Sequence, residues 1–249
     1  MQIVADMHCH TIASSHAYNT LFEMARAGKE AGLAMMAITD HGPGMPDAPH
    51  RWHFLNMRIW PTVIEGITVI PGVEANVKDF EGALDLSKDY LKQIPWVIAS
   101  CHREAITPGT REDHTHMWLK IAKNPLVDLI GHCGQEIYAF DQETVIRAFK
   151  EYGKIVEINN NSAVVRPDSI KNCADIARLC KKYEVPVCVN TDAHLAYQVG
   201  HVERVQAMLQ EIEFPEELVF NANCERMTQY LAKKGYHYAP ASGEKEGCG

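Results

Sequence analysis

The chain has 249 residues, of which 46% are hydrophobic and 22% are charged, and its formal net charge is −8. This length and composition suit a globular protein with a large core. The negative charge argues against binding to long nucleic acids, which usually needs a basic surface, and no apolar run is long enough to span a membrane. The N-terminus has neither a basic region nor an apolar signal core, so we expect a cytoplasmic protein. Eight cysteines without a CxxC pair are expected to be reduced thiols.

Apolar, β-branched runs alternate with helix-like segments along the chain. The predicted strands cover residues 3–7, 34–39, 68–75, 96–100, 126–130, 155–158 and 185–190. The predicted helices cover residues 20–31, 52–60, 87–93, 111–123, 142–152, 169–182, 202–211 and 224–234. This alternation indicates a parallel sheet with helices outside it. Seven such units without a linker favour one closed or nearly closed α/β barrel, and the polar tail at 239–249 is expected to be disordered.

Side chains of the metal-ligand type follow six of the predicted strands. In parallel barrels, active sites form at the C-terminal rim, from the strand ends and the loops after them. His8 and His10 are two residues apart on an extended segment, so both rings point to one face. One such histidine would be unremarkable, but joint placement on one rim predicts a metal cluster. The nine candidate ligands are His8, His10, His16, His41, Glu74, His102, His132, Asp192 and His194.

Two aspartates near these residues are candidate supports for the cluster. Asp6 has the same strand parity as His8 and His10, which predicts that it holds an imidazole in the correct tautomer. Asp40 directly precedes His41 and could do similar work.

Two further residues are candidates for contact with substrate, and one histidine pair is a useful contrast. Arg58 lies in a polar and aromatic stretch and could bind phosphate, although a solvated helix face also explains it. Asn159 ends the sixth predicted strand, where its amide could donate to substrate or cap the loop. The motif His114-Thr115-His116 lies in a predicted helix, where residues two apart diverge. We therefore do not expect both of its rings to bind one metal.

The order and spacing of these segments resemble the PHP (polymerase and histidinol phosphatase) family of metal-dependent phosphoesterases, and in particular its YcdX-like branch. The segments that carry the likeness are Met7–Thr11, Ala37–Pro43 and Trp52–Pro61. The resemblance implies a distorted (β/α)7 barrel over residues 1–238, with its metal site at the C-terminal rim of the strands. It also implies three divalent metal ions, typically zinc, with iron or manganese as alternatives.

The resemblance further implies that the nine ligands form three sites which share one carboxylate. The sets are His8, His10, Glu74 and Asp192 for one ion, Glu74, His102 and His132 for the second, and His16, His41 and His194 for the third. Glu74, Asp192 and His194 are the residues expected to act most directly in catalysis.

The charge of such a cluster predicts the chemistry. Three divalent cations beside two carboxylates leave a positive pocket, which suits phosphate, and zinc lowers the pKa of bound water from about 15.7 to about 7. We therefore expect a phosphatase that hydrolyses a small phosphomonoester with a metal-activated hydroxide. Alternatives are a nuclease acting on short nucleic-acid ends, a non-catalytic metal-binding regulatory module, and a metal-dependent amidohydrolase. The last is disfavoured because no lysine follows a predicted strand where it could bridge two metals.

Overall fold

The computed structural model describes residues 1–241, so residues 242–249 of the tail that was predicted to be disordered lie outside the described part of the chain. A parallel sheet of seven strands organises the fold, and the order in which these strands are hydrogen-bonded follows their order in the chain. All seven predicted strands are present. The strands are β1 (Ala5–Cys9), β2 (Met35–Ile38), β3 (Val63–Ile64), β4 (Ile67–Asn76), β5 (Trp96–Ser100), β6 (Leu129–Ile130), β7 (Ile155–Asn159) and β8 (Val187–Asn190).

The short strand β3 was not predicted. It pairs antiparallel with the start of β4, across a turn in which Glu65 and Gly66 both have positive φ angles, 51° and 81°. Two positive φ angles in succession are typical of the type I′ turn that joins tight hairpins. A strand of two residues is too short to leave a recognisable periodicity in the sequence.

The barrel closes through side chains as well as through a β-bridge. Cys9 and Ala193 form a single parallel bridge between the ends of β1 and β8. The Asn190 side chain accepts a hydrogen bond from the Met7 backbone N–H at 3.0 Å. Asn221 donates to carbonyl groups of both edges of the sheet, at 2.7 and 2.6 Å. The result is a nearly closed, distorted (β/α)7 barrel, as predicted.

Helices connect successive strands on the outside of the barrel. Two of them begin with a capping box, in which Thr20 pairs with Glu23 and Thr110 pairs with Asp113, an arrangement that satisfies the free N–H groups of the first turn. No helix within residues 1–241 is long and apolar enough to cross a membrane. The α-helices are α1 (Leu21–Glu30), α2 (Trp52–Asn56), α3 (Lys88–Leu91), α4 (Arg111–Ala122), α5 (Gln142–Glu151), α6 (Ser162–Val165), α7 (Ile170–Tyr183), α8 (Glu203–Glu211) and α9 (Cys224–Lys233).

The interior of the barrel is apolar at its N-terminal end. Met7, Ile70 and Trp96 pack there with side chains of α9 such as Met227 and Leu231. Large buried side chains of this kind exclude water and stabilise the fold.

Of the seven cysteines within residues 1–241, six are buried and Cys173 is half-buried. Cys9, Cys101, Cys133, Cys173, Cys180 and Cys188 are free thiols. Cys224 is also buried, but it is disulfide-bonded, so the prediction is wrong there. Burial within a helix does not exclude a cross-link.

Candidate metal centre

The nine predicted ligands lie together at the C-terminal rim of the barrel. Within three groups of them, the potential ligand atoms all lie within 4.8 Å of one another. The groups are His10, His41 and His194; His8, His10 and Glu74; and His41, Glu74 and His102. The three predicted ligands outside these groups are adjacent to them. The ring of His16 stacks on that of His194 at 4.5 Å, His132 Nε2 lies 2.8 Å from Glu74 Oε1, and Asp192 Oδ1 lies 3.1 Å from His10 Nε2.

Glu74, near the end of β4, occupies the centre of the cluster and is completely buried. Its Oε1 faces His132 and His102, whose Nε2 atoms lie at 2.8 and 3.4 Å. Its Oε2 faces His41 Nδ1 at 2.7 Å and His10 Nε2 at 3.6 Å. Burial alone would raise the pKa of Glu74, yet His102 and the neighbouring imidazoles hold it well below its ordinary value. The carboxylate is therefore charged, with an oxygen directed toward each half of the cluster.

Asp192 is the second carboxylate, and a left-handed backbone conformation with φ of 56° directs it into the site. Its Oδ1 lies 3.1 Å from His10 Nε2 and 3.5 Å from His8 Nε2. Its Oδ2 accepts hydrogen bonds from Asn159 Nδ2 at 3.2 Å and Arg166 Nη1 at 3.4 Å. Burial opposes ionisation here as well, but His8 and its neighbours keep the pKa of Asp192 well below its usual range.

The inner atoms of the cluster are buried without hydrogen-bond partners. In the described part of the chain, 13 buried side-chain nitrogen and oxygen atoms have no partner, and nine of them belong to the predicted ligands. Each such atom would cost roughly 1–3 kcal/mol if it stayed unsatisfied, whereas imidazole and carboxylate groups are the usual ligands of zinc and related metals. The donor set therefore fits divalent metal ions. The nine atoms are His8 Nε2, His10 Nδ1 and Nε2, His41 Nδ1 and Nε2, Glu74 Oε2, His102 Nε2, Asp192 Oδ1 and His194 Nε2.

Outer contacts orient four of the imidazoles. In each, Nδ1 donates a hydrogen bond to an oxygen, which places the proton on Nδ1 and leaves Nε2 free to bind a metal. The pairs are His8 with Glu157 (2.7 Å), His16 with Asp47 (2.5 Å), His102 with Asn76 (2.7 Å) and His194 with the Asp192 carbonyl (2.9 Å). The side chains of Glu157, Asp47 and Asn76 were not predicted to have this role. For Glu157, the available signal was a carboxylate inside an apolar strand.

The prediction that Asp6 holds an imidazole is wrong. Asp6 accepts hydrogen bonds from the backbone N–H and hydroxyl of Thr191, at 3.2 and 2.5 Å, and from the Gly200 N–H at 3.3 Å. The physical reason is an irregularity in the pairing of β1 between Asp6 and Cys9. A bulge of this kind interrupts the alternation of side chains, so Asp6 does not share the face of His8.

Asp40 does contact an imidazole, but it belongs to a histidine outside the nine. Asp40 Oδ2 lies 3.1 Å from His53 Nε2 and accepts from the Thr11 hydroxyl at 2.8 Å. Its Oδ1 accepts from the Thr11 N–H and from the Ser14 hydroxyl, at 2.8 and 2.9 Å. Asp40 thus fixes the loop that follows His10 and anchors His53 beside it.

Arg58 is remote from the cluster. It lines a cavity of about 310 Å³ together with Trp60, Tyr236 and Tyr238, and none of the nine predicted ligands borders that cavity. The phosphate-binding role considered for Arg58 is therefore unsupported at this site. The arginine that does reach the cluster is Arg166, through its contact with Asp192.

The pair His114 and His116 behaves as the helical spacing predicts, because the two rings diverge. His114 is buried, donates from Nδ1 to the Ala139 carbonyl at 2.9 Å and accepts at Nε2 from the Gly109 N–H at 2.9 Å. His116 lies on the surface, 3.0 Å from Glu81. The same HxH motif on β1 brings the rings of both His8 and His10 into the cluster.

Known proteins resemble the chain over most of its length. Residues 6–161 match the PHP domain family. A probable phosphatase of Acetivibrio thermocellus is 44% identical over 234 residues, covering 94% of this chain and 97% of that protein. One of Caldanaerobacter subterraneus subsp. tengcongensis is 45% identical over 236 residues, covering 94% and 93%. Histidinol phosphate phosphatase of Lactococcus lactis, solved with zinc, L-histidinol and phosphate, has a TM-score of 0.60 at 15% identity and covers 86% of this chain and 95% of that one.

Proposed function

Because the chain belongs to the PHP family, as the match over residues 6–161 and relatives 44% and 45% identical show, we propose that it is a metal-dependent phosphatase of small phosphomonoesters. Family membership and phosphatase relatives support a phosphoric ester hydrolase. The observation that carries the proposal is the set of nine buried, unpartnered ligand atoms at one rim of the barrel.

The proposed cofactor is three divalent metal ions, with zinc preferred and iron or manganese as alternatives. The three groups of ligand atoms within 4.8 Å of one another support more than one ion, and the solved relative from Lactococcus lactis contains zinc. When bound, such ions lower the pKa of a water molecule and neutralise charge on a phosphoryl group. Glu74, with an oxygen toward each half of the cluster, is the proposed bridging ligand.

We propose that the substrate binds in a cavity next to the cluster. A cavity of about 240 Å³ is lined by Arg103, Gln135, Val165 and Arg166, among others. None of the nine ligands lines this cavity, but two of its lining residues contact them: Gln135 Nε2 lies 3.1 Å from His132 Nδ1, and Arg166 Nη1 lies 3.4 Å from Asp192 Oδ2. Guanidinium groups bind phosphate oxygens through paired hydrogen bonds. Arg166 is therefore the residue we propose to orient the phosphoryl group, in a cavity sized for a small molecule.

The first test is phosphate release from a panel of small phosphomonoesters by the metal-loaded protein. Activity should disappear after chelation and return on reloading. Arg166→Met should reduce kcat/KM, whereas Arg58→Met, which alters an arginine in the remote cavity, should leave it near the wild-type value. Activity confined to the termini of short oligonucleotides would favour a nuclease, and metal binding without hydrolysis of any phosphoester would favour a regulatory module. Either result contradicts the proposal.

A further inference from the structure

Glu157 extends from β7, the one parallel strand that supplies no predicted ligand, and its side chain is completely buried. Its Oε1 accepts from His8 Nδ1 at 2.7 Å and from Asn190 Nδ2 at 2.9 Å. Its Oε2 accepts from the His132 backbone N–H at 2.8 Å and from Asn159 Nδ2 at 3.2 Å. An ionised carboxylate has about four acceptor positions, so the four donors fill them.

The two ligands that Glu157 contacts lie in different parts of the cluster. His8, with its proton on Nδ1, presents Nε2 to Asp192 and Glu74 at 3.5 and 3.4 Å. His132 presents Nε2 to Glu74 at 2.8 Å from a backbone with φ of 23°. A non-glycine residue in such a conformation is strained and persists only where its surroundings hold it there. Glu157 holds it through the N–H of His132 itself.

We propose that Glu157 is a positioning residue that couples two metal sites, by fixing the tautomer of His8 and the backbone of His132 with one carboxylate. The inference rests on the proposed function of the cluster. In this proposal, Glu157 positions a ligand of each of the two ions that would share Glu74. The third site, formed by His16, His41 and His194, does not depend on Glu157.

Glutamine has the same shape as glutamate but cannot replace it here. Its amide has one acceptor oxygen and one donor NH₂ group, and it would face four donors. If the NH₂ group faced His8 Nδ1, that nitrogen would have to accept and the proton would move to Nε2, which then could not bind a metal. If it faced the His132 N–H, two donors would meet. Either arrangement misplaces a ligand.

A matched control replaces a carboxylate that supports only one imidazole. Asp47 Oδ2 contacts Nδ1 of His16, 2.5 Å away, and also accepts from the His16 N–H at 3.2 Å. Asp47→Asn makes the same carboxylate-to-amide change beside a ligand of the third site alone. Asp47→Asn should weaken the binding of one ion, whereas Glu157→Gln should weaken the binding of two.

The experiment titrates Zn²⁺, and Co²⁺ as a spectroscopic probe, into metal-free wild type, Glu157→Gln and Asp47→Asn. Calorimetry gives the affinities, and the visible Co²⁺ absorption reports ligand geometry independently of turnover. We expect two of three ions to bind roughly 10- to 100-fold more weakly in Glu157→Gln and one in Asp47→Asn. Three ions at wild-type affinity in Glu157→Gln, or weakening of only one, would overturn the coupling while leaving the phosphatase proposal intact.

A second variant keeps the test decisive if Glu157→Gln does not fold. Glu157→Asp preserves the buried charge but is shorter by one methylene, so it cannot reach His8 and His132 together. We expect it to fold and to bind at least one of the two coupled ions more weakly than wild type. Wild-type binding by Glu157→Asp would contradict the inference. A wild-type protein that binds no metal would instead refute the proposed function.

Discussion

Both ends of the barrel contain buried polar groups, but these groups have hydrogen-bond partners at one end and largely lack them at the other. At the N-terminal end lies a set of buried polar side chains that we call the floor network: Asp128, Lys154, Tyr230 and Lys234. Each charged group of this network has a hydrogen-bond partner. Asp128 accepts from Lys234 Nζ at 2.6 and 2.7 Å and from Tyr230 at 2.8 Å. Lys154 Nζ donates to two backbone carbonyls at 2.5 and 2.6 Å. At the C-terminal end, the nine predicted ligands form the rim cluster, whose inner atoms have no partners.

Burial alone therefore does not distinguish a structural network from a binding site. In the floor network, the Asp128 carboxylate pairs with the Lys234 ammonium and the Tyr230 hydroxyl, and backbone carbonyls accept from the Lys154 ammonium. The rim cluster combines seven imidazoles with two carboxylates, and most of its nitrogens face other acceptors or one another. Concentrated, unsatisfied acceptors of this kind are costly to bury unless a cation satisfies them. That contrast is the main physical reason for assigning metals to the rim.

The largest expected effect comes from Glu74→Gln in the rim cluster. The change keeps the shape but removes the charge and one acceptor oxygen, so the two ions that would share Glu74 lose their common anion. We expect turnover to be nearly abolished and the metal content to fall. Asp192→Asn should mainly affect one ion. If Glu74→Gln retained three metals and normal turnover, Glu74 would not be the bridge.

The matching change in the floor network is Asp128→Ala. It leaves the Lys234 ammonium without its carboxylate, and breaking a buried pair costs roughly 3–5 kcal/mol. We expect the lower end of that range because the Lys234 side chain is 24% exposed. Denaturant unfolding measures the loss, and metal content should stay at the wild-type level. A fall in metal content without a fall in stability would erase the distinction between the two ends.

The two HxH motifs sharpen the comparison within one residue type. The double variant His8→Ala/His10→Ala should lose both metal and phosphatase activity. His114→Ala/His116→Ala should keep both, although it should unfold more easily, by roughly 1–3 kcal/mol, because His114 makes two buried hydrogen bonds. Metal analysis beside thermal unfolding separates the outcomes. Equal metal loss from the two variants would be inconsistent with the placement of the cluster on β1.

The smallest effect is a pH dependence from Lys154. Burial lowers its pKa in the folded protein to about 8 from an ordinary value of 10.5. Between these values the unfolded chain binds the proton and the folded protein does not, so stability should rise with pH in this window. Wild type should therefore gain stability relative to Lys154→Met from pH 8 to 10.5, as followed by urea unfolding. A constant difference across that range would show that Lys154 stays charged in the folded state.

The sequence predicted the strands and the convergence of the ligands because both depend on local patterns. Apolar runs mark β2 and β5, for example, and parallel strands bring the residues after them, such as His41 and His102, to one rim. Features that depend on irregular backbone or on distant contacts were not predictable in this way. The bulge after Asp6 has no local signature, and Glu157 meets His8 from 149 positions away along the chain.

The arginines show the same limit for the substrate side. Arg58 and Arg166 have equivalent chemistry, and nothing in the residues around them indicates which one reaches the cluster. The path of the chain decides it, since the turn after α6 places Arg166 beside Asp192, while the segment after α2 places Arg58 in a separate cavity. Residue type alone therefore could not tell which arginine contacts the cluster, and the fold shows that it is Arg166.

The most direct test of the central claim is the metal content of the fully loaded wild-type protein, measured by elemental analysis against an accurate protein concentration. If the unpartnered atoms of the rim cluster are metal ligands, nine residues with one bridging carboxylate should hold about three ions per chain. The same measurement on His114→Ala/His116→Ala should give the same number. A result of one ion per chain, or none, would contradict the account.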